Sequence, residues 1–339
     1  MHYLITGHTG FKGSWLSLLL KIQGHTVSGI SLKPDQKSLF VKAQLSNIFE
    51  HDLRVDIRDL SELKKSVKSI NPEVIIHLAA QPLVRYSYTK PHETFETNVM
   101  GTINLLESTN ELEKLKAVLV VTTDKVYKNF NYLRGYTEMD ALGGNDPYSA
   151  SKAAADLAAQ SWISNFATVP ISIARAGNVI GGGDWSIDRI IPDLIKYYNL
   201  NQNPVIRNPN AIRPWQHVLD CLNGYLMLID QQVKNKVSGE WNFGPNISEK
   251  FSVSDLVNKF GFAMGVDGSM WELDSSINPH ESSCLLLDSS KARHSLCWSD
   301  KLQFEATVKW TADWFLNYKG QNARAITESQ IHEFLDMPI

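Results

Sequence analysis

The sequence predicts a doubly wound α/β fold, a parallel sheet covered by helices on both faces, followed by a smaller α/β lobe. Three observations carry that expectation. A strand, a glycine turn and a helix succeed one another within the first 25 residues. Apolar and helical runs then alternate as far as residue 176. Two of the apolar runs, Glu73–Ala80 and Ala117–Thr122, are nearly continuous, as strands buried on both faces must be. The expected division is a Rossmann-like dinucleotide-binding domain over residues 1–176 and a mainly substrate-binding lobe over 177–339, with some segments of the second returning to the first.

Tyr3-Leu4-Ile5 reads as a short buried strand and Ser14–Ile22 as a helix. Between them runs Gly7-His8-Thr9-Gly10-Phe11-Lys12-Gly13. Gly7 permits the tight turn. Gly10 lets backbone N–H groups approach a pyrophosphate at the helix N-terminus, and Gly13 lets helix and strand pack closely. Thr26–Leu32 is the second strand. No carboxylate closes it: the chain continues Ser31-Leu32-Lys33-Pro34, and Asp35 comes only after the proline. On charge alone Lys33 slightly favours the 2′-phosphate of NADP. Leu53–Asp59 reads as a third strand ending in a polar turn. Asp56 there is suited to accept from an adenine amino group, and Asp59 to cap the next helix. In the fourth strand, Glu73–Ala80, His77 is expected to pack, and the small Ala79 and Ala80 let the backbone lie against a cofactor. Gln81 and Arg85 follow at its C-terminal end, where open α/β sheets bind ligands. His92–Asn110 is helical, with Asn98 in its middle needing a partner. Ala117–Thr122 is the fifth strand and carries Thr123-Asp124-Lys125 at its tip.

Asp146 caps the next helix and Pro147 opens it, so Tyr148 and Lys152 stand at i and i+4 on one face. An ammonium beside a phenol favours the phenolate, a general base for an alcohol proton. With Thr123 on the neighbouring strand tip, these residues resemble the catalytic trio of the extended short-chain dehydrogenase/reductases. The resemblance implies that Tyr148 takes the alcohol proton, Lys152 lowers the phenol's pKa and holds the nicotinamide ribose, and Thr123 orients the sugar hydroxyl.

Asp124-Lys125 sharpens it. The nucleotide-sugar 4,6-dehydratases usually carry Asp-Glu at this place. Their chemistry is oxidation at sugar carbon 4, loss of water across carbons 5 and 6, and hydride return to carbon 6. Asp124 matches the acid for the departing hydroxyl, but the base position holds Lys125. A lysine serves as base only when its pKa is depressed; left cationic it stabilises an enolate instead. Thr122–Tyr127 resembles the CDP-glucose 4,6-dehydratase family in particular. Thr6–Leu16, His77–Arg85, Ala174–Trp185 and Ala211–Val218 are similar to it as well, so the resemblance runs nearly end to end. It implies NAD in place of NADP, with Thr9, Phe11, Ile57, Leu78 and Asn98 among the cofactor contacts. It also implies a homodimer or dimer of dimers, through helices His92–Asn110 and Pro147–Phe166 with Trp162 on the contact surface. Two other readings share the motifs: a nucleotide-sugar epimerase, or a dehydratase of another nucleotide-sugar. A non-catalytic dinucleotide-binding protein is the third, and the complete trio argues against it.

Past the sixth strand, Ile171–Arg175, the glycine-rich loop Gly177–Asp184 leaves a strand's C-terminal end with Asn178 inside it, so it is expected to touch substrate. Ile190–Leu200 reads as a helix with Arg189 at its start, Pro204–Arg207 as a short strand, and Gln216–Asp230 as a helix. Arginine forks match phosphate oxygens, and Arg213 is the first choice for the substrate diphosphate, with Arg207 and Arg189 near it. Trp241-Asn242-Phe243-Gly244 is a strand and turn. Ser252–Phe262, Lys301–Tyr318 and Thr327–Asp336 are helices. The family pattern brings Arg293 towards the nucleotide.

Bulk composition excludes several classes. Hydrophobic content of 43%, charge content of 20% and a net charge of −3 describe an ordinary globule with no global field for nucleic acid or an anionic membrane. No apolar run is long enough to span a bilayer. The N-terminus lacks the basic and apolar regions of a signal peptide. Three scattered cysteines fit a reducing, cytoplasmic setting. His77, His217, His280 and His294 form no ligand spacing, so no metal is expected. No Gly-x-Ser-x-Gly elbow marks a serine nucleophile.

Overall fold

The computed structural model describes residues 1–110, 112–246, 248, 250–267, 270–275, 282–318 and 322–338. His280 lies outside them. Six strands, β1 (His2–Thr6), β2 (Thr26–Ser31), β3 (Asp52–Arg54), β4 (Val74–His77), β5 (Ala117–Val121) and β6 (Ile171–Ala176), form a parallel sheet in the order β3-β2-β1-β4-β5-β6. A seventh, Gly239–Phe243, pairs in parallel with β6 and closes that edge. The sheet therefore does not end at residue 176. The chain makes its excursion and comes back.

Alternate residues of the strands feed two cores. Leu4, Ile75, Val118 and Ile173 meet Leu63, Val67, Leu105 and Ala159 on one face. Ile5, Ile76, Leu119 and Ala174 meet Trp15, Leu19, Leu222 and Ile229 on the other. The order reverses between β1 and β4, whose last residues Thr6 and His77 are in register, and ligands bind in the crevice at such a switch point.

Several boundaries differ from the expected ones. β3 stops at Arg54 because Asp56 folds the chain into a turn, its carboxylate accepting from the Arg58 N–H at 3.0 Å. β4 ends at His77, not Ala80. The helix over His92–Asn110 forms as Pro91–Phe95 and Gly101–Glu107 around one π-helical stretch, Glu96–Met100, which contains Asn98. The helix expected from Gln216 starts at Val218, since Gln216–His217 pairs with Val179–Ile180, and it runs on to Asn235. Asp59 caps its helix through the Glu62 N–H at 3.0 Å. His77 packs as expected, bonded to Thr6 and Thr102 and pushed down to about 3 by burial.

Candidate active site

The glycine turn is built by close approach. Gly7 has φ +74°, and a Cβ there would lie 2.7 Å from the Ala79 nitrogen. One on Gly13 would lie 2.6 Å from His8 Cα. At Gly10 only the Gly7 carbonyl comes near, at 3.3 Å, and no side chain caps the helix Phe11–Ile22 that follows. The uncapped first-turn amides and the open space at Gly10 fit a dinucleotide diphosphate. The Thr9 hydroxyl bonds that of Ser31 at 2.6 Å, which ties the turn to the end of β2. Lys33 is exposed, and Asp35 accepts from the Lys37 N–H within its own turn.

The Phe11 ring lies against Gly181, where a Cβ would meet its Cζ at 3.2 Å. Ile57 is buried and packs on Gly101. Asp56 is held by Arg58 at 2.6 Å, which keeps its carboxyl below the usual range. Leu78, Ala79 and Ala80 are half-buried along the chain that leaves β4. Asn98 accepts from the Gln81 N–H at 2.8 Å and donates to the Gln81 carbonyl and, at 2.9 Å, to the Ser151 hydroxyl. It is thus a brace joining the β4 exit to the helix Pro147–Asn165.

That helix is capped by Asp146, which accepts from the Ser149 N–H at 2.9 Å, with Pro147 in its first turn. Tyr148 is buried, and burial pushes its phenol up. Arg189 and the adjacent Thr123 hydroxyl pull it the other way. The Lys152 ammonium donates to the Val121 carbonyl at 2.9 Å, and burial brings it down to about 8, with Asp156 opposing and Lys12 adding to the shift. In the chain by itself burial outweighs the influences that lower the Tyr148 phenol. The sequence spacing places the two residues on one face, but only the packed β5 end decides which carbonyl the long side chain reaches.

Asp124 is fully buried. Its Oδ1 accepts from the Thr123 hydroxyl at 2.9 Å and from Lys125 Nζ at 3.2 Å. Its Oδ2 is buried without a partner. Beneath the group lies an ion pair that sequence reasoning missed: Asp156 takes Arg175 at 2.9 and 2.7 Å and the Thr122 hydroxyl at 2.9 Å. The signal was present, since Asp156 is four residues past Lys152 on the same face.

Beside this centre opens a cleft of about 280 Å³. Lys125, Asn178, Arg85, Arg189, Arg207 and Arg213 all line it, so one hollow, lined by aspartates as well, collects most of the expected substrate contacts. Asn178 presents a buried Oδ1 without a partner. Arg85 pairs with Asp188 at 3.5 Å, and Arg189 donates to the Pro82 carbonyl at 3.0 Å, so both span from the β4 exit to the second half. Trp215 also lines the cleft. Gln81 does not; its amide bonds Thr94 and the Leu83 carbonyl. Arg293 is not among the side chains that line this cleft; it pairs with Asp300 at 2.6 Å over the Trp298 ring. Its i+7 carboxylate holds it there.

A dinucleotide cradle, joined to a threonine on the β5 tip and a Tyr/Lys helix beside it, defines an enzyme of the extended short-chain dehydrogenase/reductase class. The chain belongs to the GDP-mannose 4,6 dehydratase family, whose profile matches residues 4–311. It is 42% identical to the CDP-glucose 4,6-dehydratase of Salmonella typhimurium, over 98% of this chain and 95% of that protein. It is 27% identical to a dTDP-glucose 4,6-dehydratase of Haemophilus influenzae, over 93% of this chain and 98% of that one. Among solved structures, a dTDP-glucose 4,6-dehydratase from Streptomyces venezuelae with NAD bound superimposes with a TM-score of 0.82 at 22% identity, covering 94% of this chain and 98% of that one. A UDP-glucuronic acid 4-epimerase from Bacillus cereus gives 0.80 at 26% identity, covering 92% and 98%. Among the described residues no helix is long and apolar enough to cross a membrane, and no cluster of ligating side chains could hold a metal.

Proposed function

We propose that the chain converts CDP-glucose to CDP-4-keto-6-deoxyglucose with NAD, as a cytoplasmic hydro-lyase supplying deoxysugar precursors for polysaccharide such as lipopolysaccharide. The observation that carries the reading is the Asp124–Lys125 pair beside Thr123 and Tyr148. A simple epimerase has no need of it. The resemblance to a CDP-glucose 4,6-dehydratase along nearly the whole chain supports the nucleotide.

When bound across Gly7–Gly13 and the β4 exit, NAD supplies the hydride acceptor for sugar carbon 4 and the hydride donor for carbon 6. Tyr148 takes the proton of the carbon-4 hydroxyl, which Thr123 orients. Lys152, protonated below about pH 8, holds the ribose side of that site. The carbon-4 ketone then acidifies the proton on carbon 5. Elimination needs an acid for the departing carbon-6 hydroxyl and a base for the carbon-5 proton. Asp124, whose Oδ1 meets Lys125 Nζ at 3.2 Å, is assigned the acid, and Lys125 beside it serves as the base or, as a cation, as the charge that stabilises the enolate. Asn178, Arg189, Arg207 and Arg213 hold the sugar and diphosphate. Exposed Phe95 and Met100 on one helical segment, with Leu157 at the surface of helix Pro147–Asn165, support a dimer through this pair of helices.

The test is a panel of four nucleotide-glucoses read by product mass and by ketosugar absorbance. A dehydratase product is lighter by one water, whereas an epimerase leaves the mass unchanged. Tyr148→Phe is expected to stop the first oxidation. The double variant Asp124→Asn/Lys125→Ala is expected to retain NAD and lose elimination. Full dehydration by that variant would overturn the assignment.

A further inference from the structure

Four aspartates among the described residues line the substrate cleft, and three are engaged within the protein: Asp146 accepts from the Ser149 N–H, Asp184 from the Ser186 N–H, and Asp188 pairs with Arg85. Asp193 lines the same hollow as Arg85, Arg189, Arg207 and Arg213 and is half-buried. Its charged neighbours are Asp188, Arg207, Lys196 and Arg85, yet its side chain makes no hydrogen bond or ion pair among the described residues. Burial and Asp188 push its carboxyl up. A negative charge left unpaired in a cleft built for phosphates costs binding, unless it meets a donor on the substrate.

The helix Ile190–Asn199 gives the cleft a direction. Its N-cap Arg189 lies near the Tyr148 phenol and so marks the sugar end. At about 1.5 Å per residue, Asp193 is roughly 6 Å further along the axis and Tyr197 roughly 12 Å. Pro204, Val205 and Ile206 line the cleft with Tyr197, apolar surface of the kind that sandwiches a planar base.

We infer that Asp193 reads the base, accepting a hydrogen bond from an exocyclic amino group that cytosine presents and uracil or thymine replaces with a carbonyl oxygen. This rests on the proposed CDP-glucose reaction. Cytosine also offers two ring-side acceptors, O2 and N3, of which uracil and thymine keep only O2. With UDP- or dTDP-glucose the same carboxylate meets a carbonyl, acceptor against acceptor. The discrimination is therefore in large part a repulsion of the wrong base.

The experiment compares kcat/KM for CDP-glucose and UDP-glucose in the parent protein and in Asp193→Asn. The amide can turn either its oxygen or its NH2 to the base. The CDP-to-UDP ratio is expected to fall about 10- to 100-fold. Equal loss on both substrates would mean that Asp193 holds the ribose hydroxyls, and an unchanged ratio would mean that it touches neither; each overturns the inference. Binding of CDP and UDP, measured with thermal melting on the same preparations, keeps the test independent of catalysis and of folding. Failure of the underlying reaction shows separately, because the parent protein would then not dehydrate CDP-glucose at all.

Discussion

Gly177→Ala tests the placement of the acid without touching it. Gly177 follows β6 and faces Asp124. A methyl carbon built there lies 2.7 Å from Asp124 Cγ and 2.8 Å from Pro214 Cγ, with Oδ2 closer still. Ordinary contact begins at 3.4 Å, so the carboxyl carbon must retreat by about 0.7 Å and its oxygen by more. Gly177 has no positive φ, so the backbone accepts alanine. What yields most readily is the end of the Asp124 side chain, and the fold is expected to survive. A displacement near 1 Å costs about 100-fold in rate when a reacting group must be aligned, close to 2.7 kcal/mol. Water loss should therefore slow about 100-fold while oxidation by Tyr148 continues. In a single turnover with CDP-glucose, stopped-flow absorbance should show reduced cofactor accumulating and decaying slowly. Parent-like turnover in a folded variant would refute the reasoning, because the acid would then have no fixed place to lose. Loss of both steps together would show that the insertion disturbs more than Asp124.

Two further outcomes follow from burial. Breaking the Asp156–Arg175 pair with Asp156→Asn leaves a buried guanidinium half-paired and should cost about 3–5 kcal/mol in urea unfolding, while Gln160→Ala, which removes one hydrogen bond to Asp156 but leaves the ion pair intact, should cost far less. His77 and His217 are both brought down to about 3 by burial, so the folded chain refuses protons that the unfolded chain takes up below about 6.5. Stability should be complete above that pH and fall towards pH 3, each histidine costing about 1.4 kcal/mol for every pH step of one in that window. His217→Phe, between the Trp15 and Trp310 rings, should flatten the acid slope although it loses the bond from the Leu219 N–H; an unchanged slope would place the acid sensitivity elsewhere.

Local rules made much of the site legible. Gly7-x-x-Gly10-x-x-Gly13 sits between a strand and a helix, and close contacts leave no room for side chains at Gly7 and Gly13. Asp146-Pro147 starts a helix, and the step from Tyr148 to Lys152 is one turn. Thr123-Asp124-Lys125 follows a five-residue buried strand and therefore lies at its tip. Each of these depends on neighbours within a few residues, which is the range over which backbone geometry is set by the sequence itself. Boundaries suffered where a side chain bonded its own backbone, as Asp56 does in ending β3.

What the sequence by itself determined is the sheet with its cofactor turn, the trio, and the acid–lysine pair that points to dehydration. Only the tertiary structure decided where long side chains go. Lys152 reaches Val121 O, Arg293 turns to Asp300, and Arg85, Arg189, Arg207 and Arg213 converge from separate segments. The return of Gly239–Phe243 to the sheet and the bare carboxylate of Asp193 in the cleft belong to the same class. The physical reason is reach: a lysine or arginine head stands several bonds from its own backbone. Its partner is chosen by burial and by whichever charges the fold brings near, and these come from residues far away in the chain.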